Sequence, residues 1–147
     1  EDVSSSGTIL SGSDGYTTRI KVLPNHFMGN DDILGGGRTT MSRDGDLSVG
    51  SIKVDHADLE AYASYNIPKG FKVTHCMLYG SDTANEVKIY EANINDADAV
   101  EKGDGDIGTE INCTDFDATD TNYAVVMWSP TSTSDYLYGG YITIAKI

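Results

Sequence analysis

Hydrophobic and polar residues alternate with a period of two along much of the chain, which is the pattern of half-buried β-strands. The clearest examples are residues 18–23 (TRIKVL) and 86–92 (EVKIYEA). Residues 123–128 (YAVVMW) are apolar on both sides, which predicts a central strand of the core. Further strands are predicted at residues 47–54, 60–67, 71–79, 109–114 and 136–147, giving about eight in all.

Turn residues separate these runs, and no convincing amphipathic helix interrupts them. Pro24 ends the first strand, because proline cannot donate to a β-ladder. Pro68 and Gly70 form a turn signature, and Gly139 with Gly140 marks a bulge or a close backbone approach in the last strand. Short strands at regular spacing predict an all-β sandwich of jelly-roll or Greek-key topology.

The sequence predicts a single folded domain preceded by an arm. Residues 1–17 are rich in Ser, Gly and Thr and are predicted to be a flexible N-terminal arm. Residues 18–147 are predicted to form a single β-sandwich domain with a long loop at residues 25–46. Residues 95–108 are predicted to be a polar loop, and residues 115–121 a turn.

The net charge of the chain restricts the classes of partner that it can bind. Ten basic residues against 23 acidic ones give a net charge of −13, which repels phosphate backbones and anionic membrane surfaces. No nucleic-acid or membrane partner is therefore expected. The first residues lack the basic-then-apolar order of a signal peptide, so none is expected, and no run approaches the ~18 apolar residues of a membrane span.

No arrangement of nucleophile, base and orienting group is evident, so the chain is predicted not to be an enzyme. His26, His56 and His75 share no metal-ligand spacing. His75 and Cys76 are adjacent in a predicted strand and therefore point to opposite faces. Cys76 and Cys113 are interpreted as buried free thiols, with a disulfide between them as the alternative.

Calcium is the sharpest cofactor hypothesis, and no other cofactor is expected. Asp115, Asp117 and Asp120 place three carboxylates in one short segment, and Ca²⁺ prefers oxygen ligands. The spacing differs from that of an EF-hand. Aspartate in turns also bonds its own backbone, and this simpler interpretation is favoured.

Tyrosines are the candidate contact residues. Tyr136, Tyr138 and Tyr141 cluster near the end of the chain. Tyrosine combines apolar area with a polar tip and is common at subunit contacts, so an interface is favoured over a sugar-binding platform.

Several segments, in order, resemble structural proteins of marine tailed phages of the cyanophage type. They are RIKVLPNHF at residues 19–27, IPKGFKVTH at 67–75, YGSD at 79–82, VKIYEA at 87–92, GTEIN at 108–112, DTNY at 120–123 and YGGYITIAK at 138–146. The resemblance spans residues 19–146. The serine- and glycine-rich start and the triple glycine at residues 35–37 depart from it.

This resemblance implies a non-enzymatic virion protein, assembled in the host cytoplasm and located on the particle surface. Capsid decoration is the expected role, with the major capsid protein or another virion protein as partner. A tail or fibre attachment protein is a variant of the same hypothesis. Homo-oligomers, including a trimer, are expected because association hides edge strands. The alternative from another class is a carbohydrate-binding sandwich module with calcium in its loops.

Overall fold

A computed structural model of the chain describes residues 17–29, 41–44, 48–54 and 59–147. These residues form two antiparallel sheets packed into a sandwich, so the predicted all-β sandwich is confirmed. Residues 1–16 of the predicted arm, the triple glycine at 35–37 and residues 45–47 lie outside the described residues.

The larger sheet contains six strands in the order β3-β4-β11-β6-β9, and β1 also pairs with β11. Its strands are β1 (Thr17–Val22), β3 (Met41–Asp44), β4 (Ser48–Val54), β6 (Phe71–Gly80), β9 (Ile111–Asp117) and β11 (Leu137–Lys146). The smaller sheet has the order β2-β5-β10-β7-β8. Its strands are β2 (Met28–Gly29), β5 (Ala61–Tyr65), β7 (Glu86–Asn93), β8 (Asp96–Asp106) and β10 (Asn122–Ser129).

The core lies between the sheets and is built from every second residue of the long strands. Val126 and Trp128 of β10 are fully buried, as are Leu78 of β6 and Ile142 of β11. The intervening side chains point to the outer faces. Burial of a side chain of this size contributes roughly 1.5–3 kcal/mol, so these alternating positions stabilise the sandwich.

The prediction of a polar loop at residues 95–108 is wrong, because residues 96–106 form β8. This strand pairs with β7 from Asp96 to Asp106 at the edge of the smaller sheet. An edge strand exposed to water needs no hydrophobic alternation, and charges on it discourage pairing with other chains. The polar composition that indicated a loop is therefore compatible with an edge strand.

Other boundaries also differ from those predicted. The described residues contain eleven strands where about eight were predicted. A short 3₁₀ helix, Pro24–His26, overlaps the start of the predicted loop at 25–46, and the strands β2 and β3 lie within that range. β9 continues to Asp117, so the predicted turn at 115–121 begins later. The last strand begins at Leu137, one residue after the predicted start.

The two sheets approach each other closely where β8 leads into β9. Gly103 and Gly105 of β8 face Ile111 of β9, and a Cβ atom at either glycine would lie within 2.8 Å of the isoleucine side chain. Ile107, in the connection, is 2% exposed. Because glycine has no side chain, Gly103 and Gly105 of β8 allow the edges of the two sheets to meet.

Candidate functional site

The outer face of the smaller sheet carries an apolar surface that we call the tyrosine face. It comprises Tyr62 of β5, Tyr90 of β7, and Tyr123 and Val125 of β10, while Met127 lies on the same side of β10 but is only 2% exposed. Strand register places Tyr62 opposite Met127, and Tyr90 opposite Val125. The ring centroids of Tyr62 and Tyr90 are 6.4 Å apart, and the two ring planes are inclined at 46° to each other.

This surface faces outward, away from the core. Ala124, Val126 and Trp128 belong to the core cluster, so Tyr123, Val125 and Met127 lie on the opposite side of β10. The three tyrosines and Val125 are half-buried. An antiparallel sheet that faces water is typically polar on its outer side, whereas contiguous apolar area indicates an interaction site.

Acidic side chains rim the tyrosine face. Glu60, Glu86, Glu101 and Asp104 lie around it, and Lys88 lies opposite Met127 on one side and Asp104 on the other. The Lys88 Nζ atom is 3.2 Å from Glu101 Oε1 and 4.0 Å from Glu86 Oε2. Among the described residues at this face, Lys88 accompanies four carboxylates, so the face is negative.

Burial and the acidic rim both act on the hydroxyl of Tyr62. Burial, and then the nearby Glu60 carboxylate, raise the pKa of Tyr62 to about 12. The hydroxyl donates to Glu60 Oε1 at 3.2 Å. Burial and a hydrogen bond with Asp104 likewise raise the pKa of Glu86.

The outer face of the larger sheet is organised around Tyr141, which is 9% exposed although it points away from the core. The Arg19 guanidinium carbon lies 3.9 Å above its ring centroid, a cation–π geometry. The Tyr141 hydroxyl donates to Glu110 Oε2 at 2.8 Å. The tyrosine therefore holds a cation and an anion in fixed positions.

A depression beside Tyr141, which we call the threonine groove, has a volume of about 770 Å³. Its lining includes Thr17, Arg19, Thr74, His75, Glu110 and Thr143. Register places Arg19 opposite Thr143, and Thr143 opposite His75, so the groove crosses β1, β11 and β6. Small side chains on β11 form its floor between longer ones on either side.

The structure separates the three tyrosines predicted as contact residues. Tyr136 precedes β11, is half-buried and is bonded through its backbone to Ser81. Tyr138 is 49% exposed, whereas Tyr141 is covered by Arg19. The ring of Tyr141 is 6.4 Å from that of Tyr79, which is exposed.

The candidate calcium ligands are not brought together as a set. Asp115 Oδ2 is 3.3 Å from Lys72 Nζ, and Asp120 pairs with Lys69. Asp117 is exposed in β9. The described part of the chain contains no group of three or more His, Cys, Asp or Glu side chains able to hold a metal ion.

Cys76 and His75 lie on opposite sides of β6. Cys76 is fully buried in the core, and His75 lies half-buried at the threonine groove. Cys113 is also buried, and both cysteines are free thiols.

The sequence interpretation missed the tyrosine face, since its tyrosines come from three strands far apart in the chain. One signal was present: residues 123–128 are apolar at every position, so one side of this strand had to face outward or contact a further layer. The partners of that side depend on which strands pair with β10, which the sequence does not show.

Comparison of the chain with models of known protein families finds no match, and comparison with curated proteins finds none either. No helix in the described ranges has the length and apolar character needed to cross a bilayer. Function is therefore inferred from the surfaces of the sandwich.

Proposed function

We propose that the protein is a non-enzymatic structural component of a tailed-phage particle, acting as a capsid decoration protein that docks through its tyrosine face. The observation that carries the proposal is the outward surface formed by the half-buried side chains of Tyr62, Tyr90, Tyr123 and Val125. The assignment to a phage particle is supported by the ordered resemblance of residues 19–146 to such proteins.

The chemistry of the rim indicates the chemistry of the partner. Two negative rims repel each other, so the tyrosine face is poorly suited to pair with its own copy. A protein surface with an apolar centre and surrounding Lys and Arg side chains complements it in both respects. We therefore propose that such a surface on the capsid lattice is the partner. Many weak contacts repeated over a shell would give firm attachment.

The tilt between two of the rings favours a protein partner over a flat glycan. Tyr62 and Tyr90 are inclined at 46° to each other, so their faces do not form one plane on which successive sugar rings could stack. Tilted tyrosines fit the uneven surface of folded proteins, where such rings serve as binding hot spots.

The test is binding of the purified chain to capsid shells that lack it, measured by co-sedimentation. Val125→Lys adds a charge at the centre of the tyrosine face and is expected to weaken binding at least tenfold, because the partner is basic and the contact is desolvated. The matched control is Asn112→Lys, which adds the same charge on the exposed outer side of β9 in the larger sheet. Equal binding by wild type and Val125→Lys would refute docking through this face.

We also propose that the chain forms a homo-oligomer, with a trimer as the specific hypothesis. Among the described residues β1 pairs with β11 alone, so its other edge offers backbone groups that a second copy could cover. Sedimentation velocity is expected to give the mass of three chains. A monomer at high protein concentration would contradict oligomerisation.

A further inference from the structure

The threonine groove has the chemistry of a polyol-binding site. Arg19 supplies hydrogen-bond donors and Glu110 supplies acceptors, the Thr17 hydroxyl can do either, and the Thr74 oxygen can accept. Each hydroxyl of a sugar is also both donor and acceptor. The volume of about 770 Å³ falls within the range of small-ligand sites.

The long side chains of the groove are held in place before any ligand arrives. Arg19 stacks on Tyr141, and the Tyr141 hydroxyl is bonded to Glu110. Arg19 and Glu110 are therefore already ordered, so binding a ligand between them does not carry the entropic cost of ordering these side chains.

The opposite side of the groove is ordered in the same way. The Thr74 hydroxyl donates to the backbone oxygen of Thr143 at 3.3 Å, and His75 Nδ1 is 2.9 Å from Thr74 Oγ1. Beneath the floor, Thr143 Oγ1 is buried and has no hydrogen-bond partner among the described groups. Thr74 and His75 therefore present polar groups of fixed position on this side, whereas the Thr143 hydroxyl is out of a ligand's reach.

The charges select among polar ligands. One guanidinium and one carboxylate face the groove, so its formal charges balance. The chain as a whole carries −13, which repels polyanions. From this combination we infer that the threonine groove binds a neutral oligosaccharide. The site lies on the opposite side of the sandwich from the tyrosine face, so the inference does not depend on the docking proposed above.

The experiment is a titration of the full chain with neutral oligomers of glucose, mannose, galactose and N-acetylglucosamine, followed by amide chemical shifts. Saturable shifts at His75, Glu110 and Thr143 are expected with at least one of these sugars. Arg19→Gln and Glu110→Gln are each expected to weaken that binding about tenfold or more, since each removes a charged hydrogen-bonding group.

Lys21→Gln is the matched control. Lys21 lies on the same side of β1, two residues beyond Arg19, and is not part of the groove lining. The Lys21→Gln variant is expected to bind the sugar as tightly as wild type does.

If none of the neutral sugars shows saturable binding, the inference is overturned. Stronger, salt-sensitive binding of an oligogalacturonate would also overturn it, because the ligand would then be anionic. Val125→Lys should leave sugar binding unchanged, which separates this test from that of capsid docking.

Discussion

At the scale of single residues, the buried carboxylate of Asp135 accepts several hydrogen bonds. Its Oδ2 atom accepts hydrogen bonds from Asn85 Nδ2 at 2.9 Å, from the Thr131 amide at 3.0 Å and from the Ser132 amide at 3.1 Å. Asn85 is fully buried, and its Oδ1 accepts from Trp128 Nε1 at 3.0 Å. This network joins the loop before β11 to the central tryptophan of the core.

Removal of that carboxylate should be costly. Asp135→Ala leaves the buried Asn85 amide and two backbone amides without their acceptor, and we expect a loss of about 3 kcal/mol in the free energy of unfolding. Urea denaturation measures it. Ser134→Ala, in the same loop but exposed, is the control and should change stability by less than about 0.5 kcal/mol. Equal stability of wild type and Asp135→Ala would show that the network contributes nothing.

The same carboxylate predicts a pH dependence. Burial raises the pKa of Asp135, but the hydrogen bonds from Asn85, Thr131 and Ser132 outweigh it, so the pKa lies below its ordinary value. A lowered folded-state pKa stabilises the protein above the unfolded value of ~3.9, and this stability is lost as the pH falls through the folded value. Denaturation at a series of pH values should show a smaller acid loss for Asp135→Ala than for wild type. Parallel curves would contradict this.

The two cysteines give another residue-scale prediction. Burial raises the pKa of Cys113 to about 12 and raises that of Cys76 still further. The thiolate is the reactive form, so both thiols should be inert to an aromatic disulfide reagent in the native protein at neutral pH. Both should react after denaturation in guanidinium chloride. Rapid reaction of either in the native state would show that the core opens locally.

At the scale of elements, β11 organises the larger sheet, since it pairs with β1, β4 and β6. Its glycines make this possible. A Cβ atom at Gly140 would lie 1.9 Å from the backbone oxygen of Met77, and one at Gly139 would lie 2.7 Å from that of Val22. Gly139 also has a φ angle of +134°, a backbone conformation that residues other than glycine rarely adopt.

Gly140→Ala should therefore force β11 away from β6. We expect a loss of about 3 kcal/mol in unfolding free energy, measured by urea denaturation, because the clash involves backbone atoms that cannot rotate away. Gly50→Ala in β4 is the matched control, since no atom lies within 4 Å of its added Cβ. Equal effects of the two substitutions would contradict this explanation.

At the scale of the whole molecule, net charge opposes compactness. Thirteen excess negative charges repel one another in the folded state, and salt screens that repulsion. The melting temperature at neutral pH should rise by a few degrees between ~0.01 M and ~0.15 M sodium chloride, measured by differential scanning calorimetry. Potassium chloride should give the same curve, which excludes a specific ion. A fall with added salt would mean that attractive pairs such as Lys88–Glu101 dominate.

The sequence by itself determined the class of the fold. Alternation in runs such as residues 86–92, with turn residues between them, already required strands that bury one side, and two sheets packed together satisfy that requirement. It also marked the close approach at Gly139 and Gly140 and the opposite directions of His75 and Cys76. These are local properties, because the strand period and the geometry of glycine depend on neighbouring residues alone.

Only the tertiary structure decided which outer side chains become neighbours. Strand order and register place Tyr62, Tyr90 and Tyr123 on one surface, and Arg19, Thr143 and His75 across another, although these residues are distant in the chain. It also decided that residues 96–106 form a strand, since an edge strand is held by its backbone pairing with β7 and leaves no hydrophobic pattern to read. Pairing between distant strands uses backbone groups that every residue shares, so side-chain pattern alone cannot specify it.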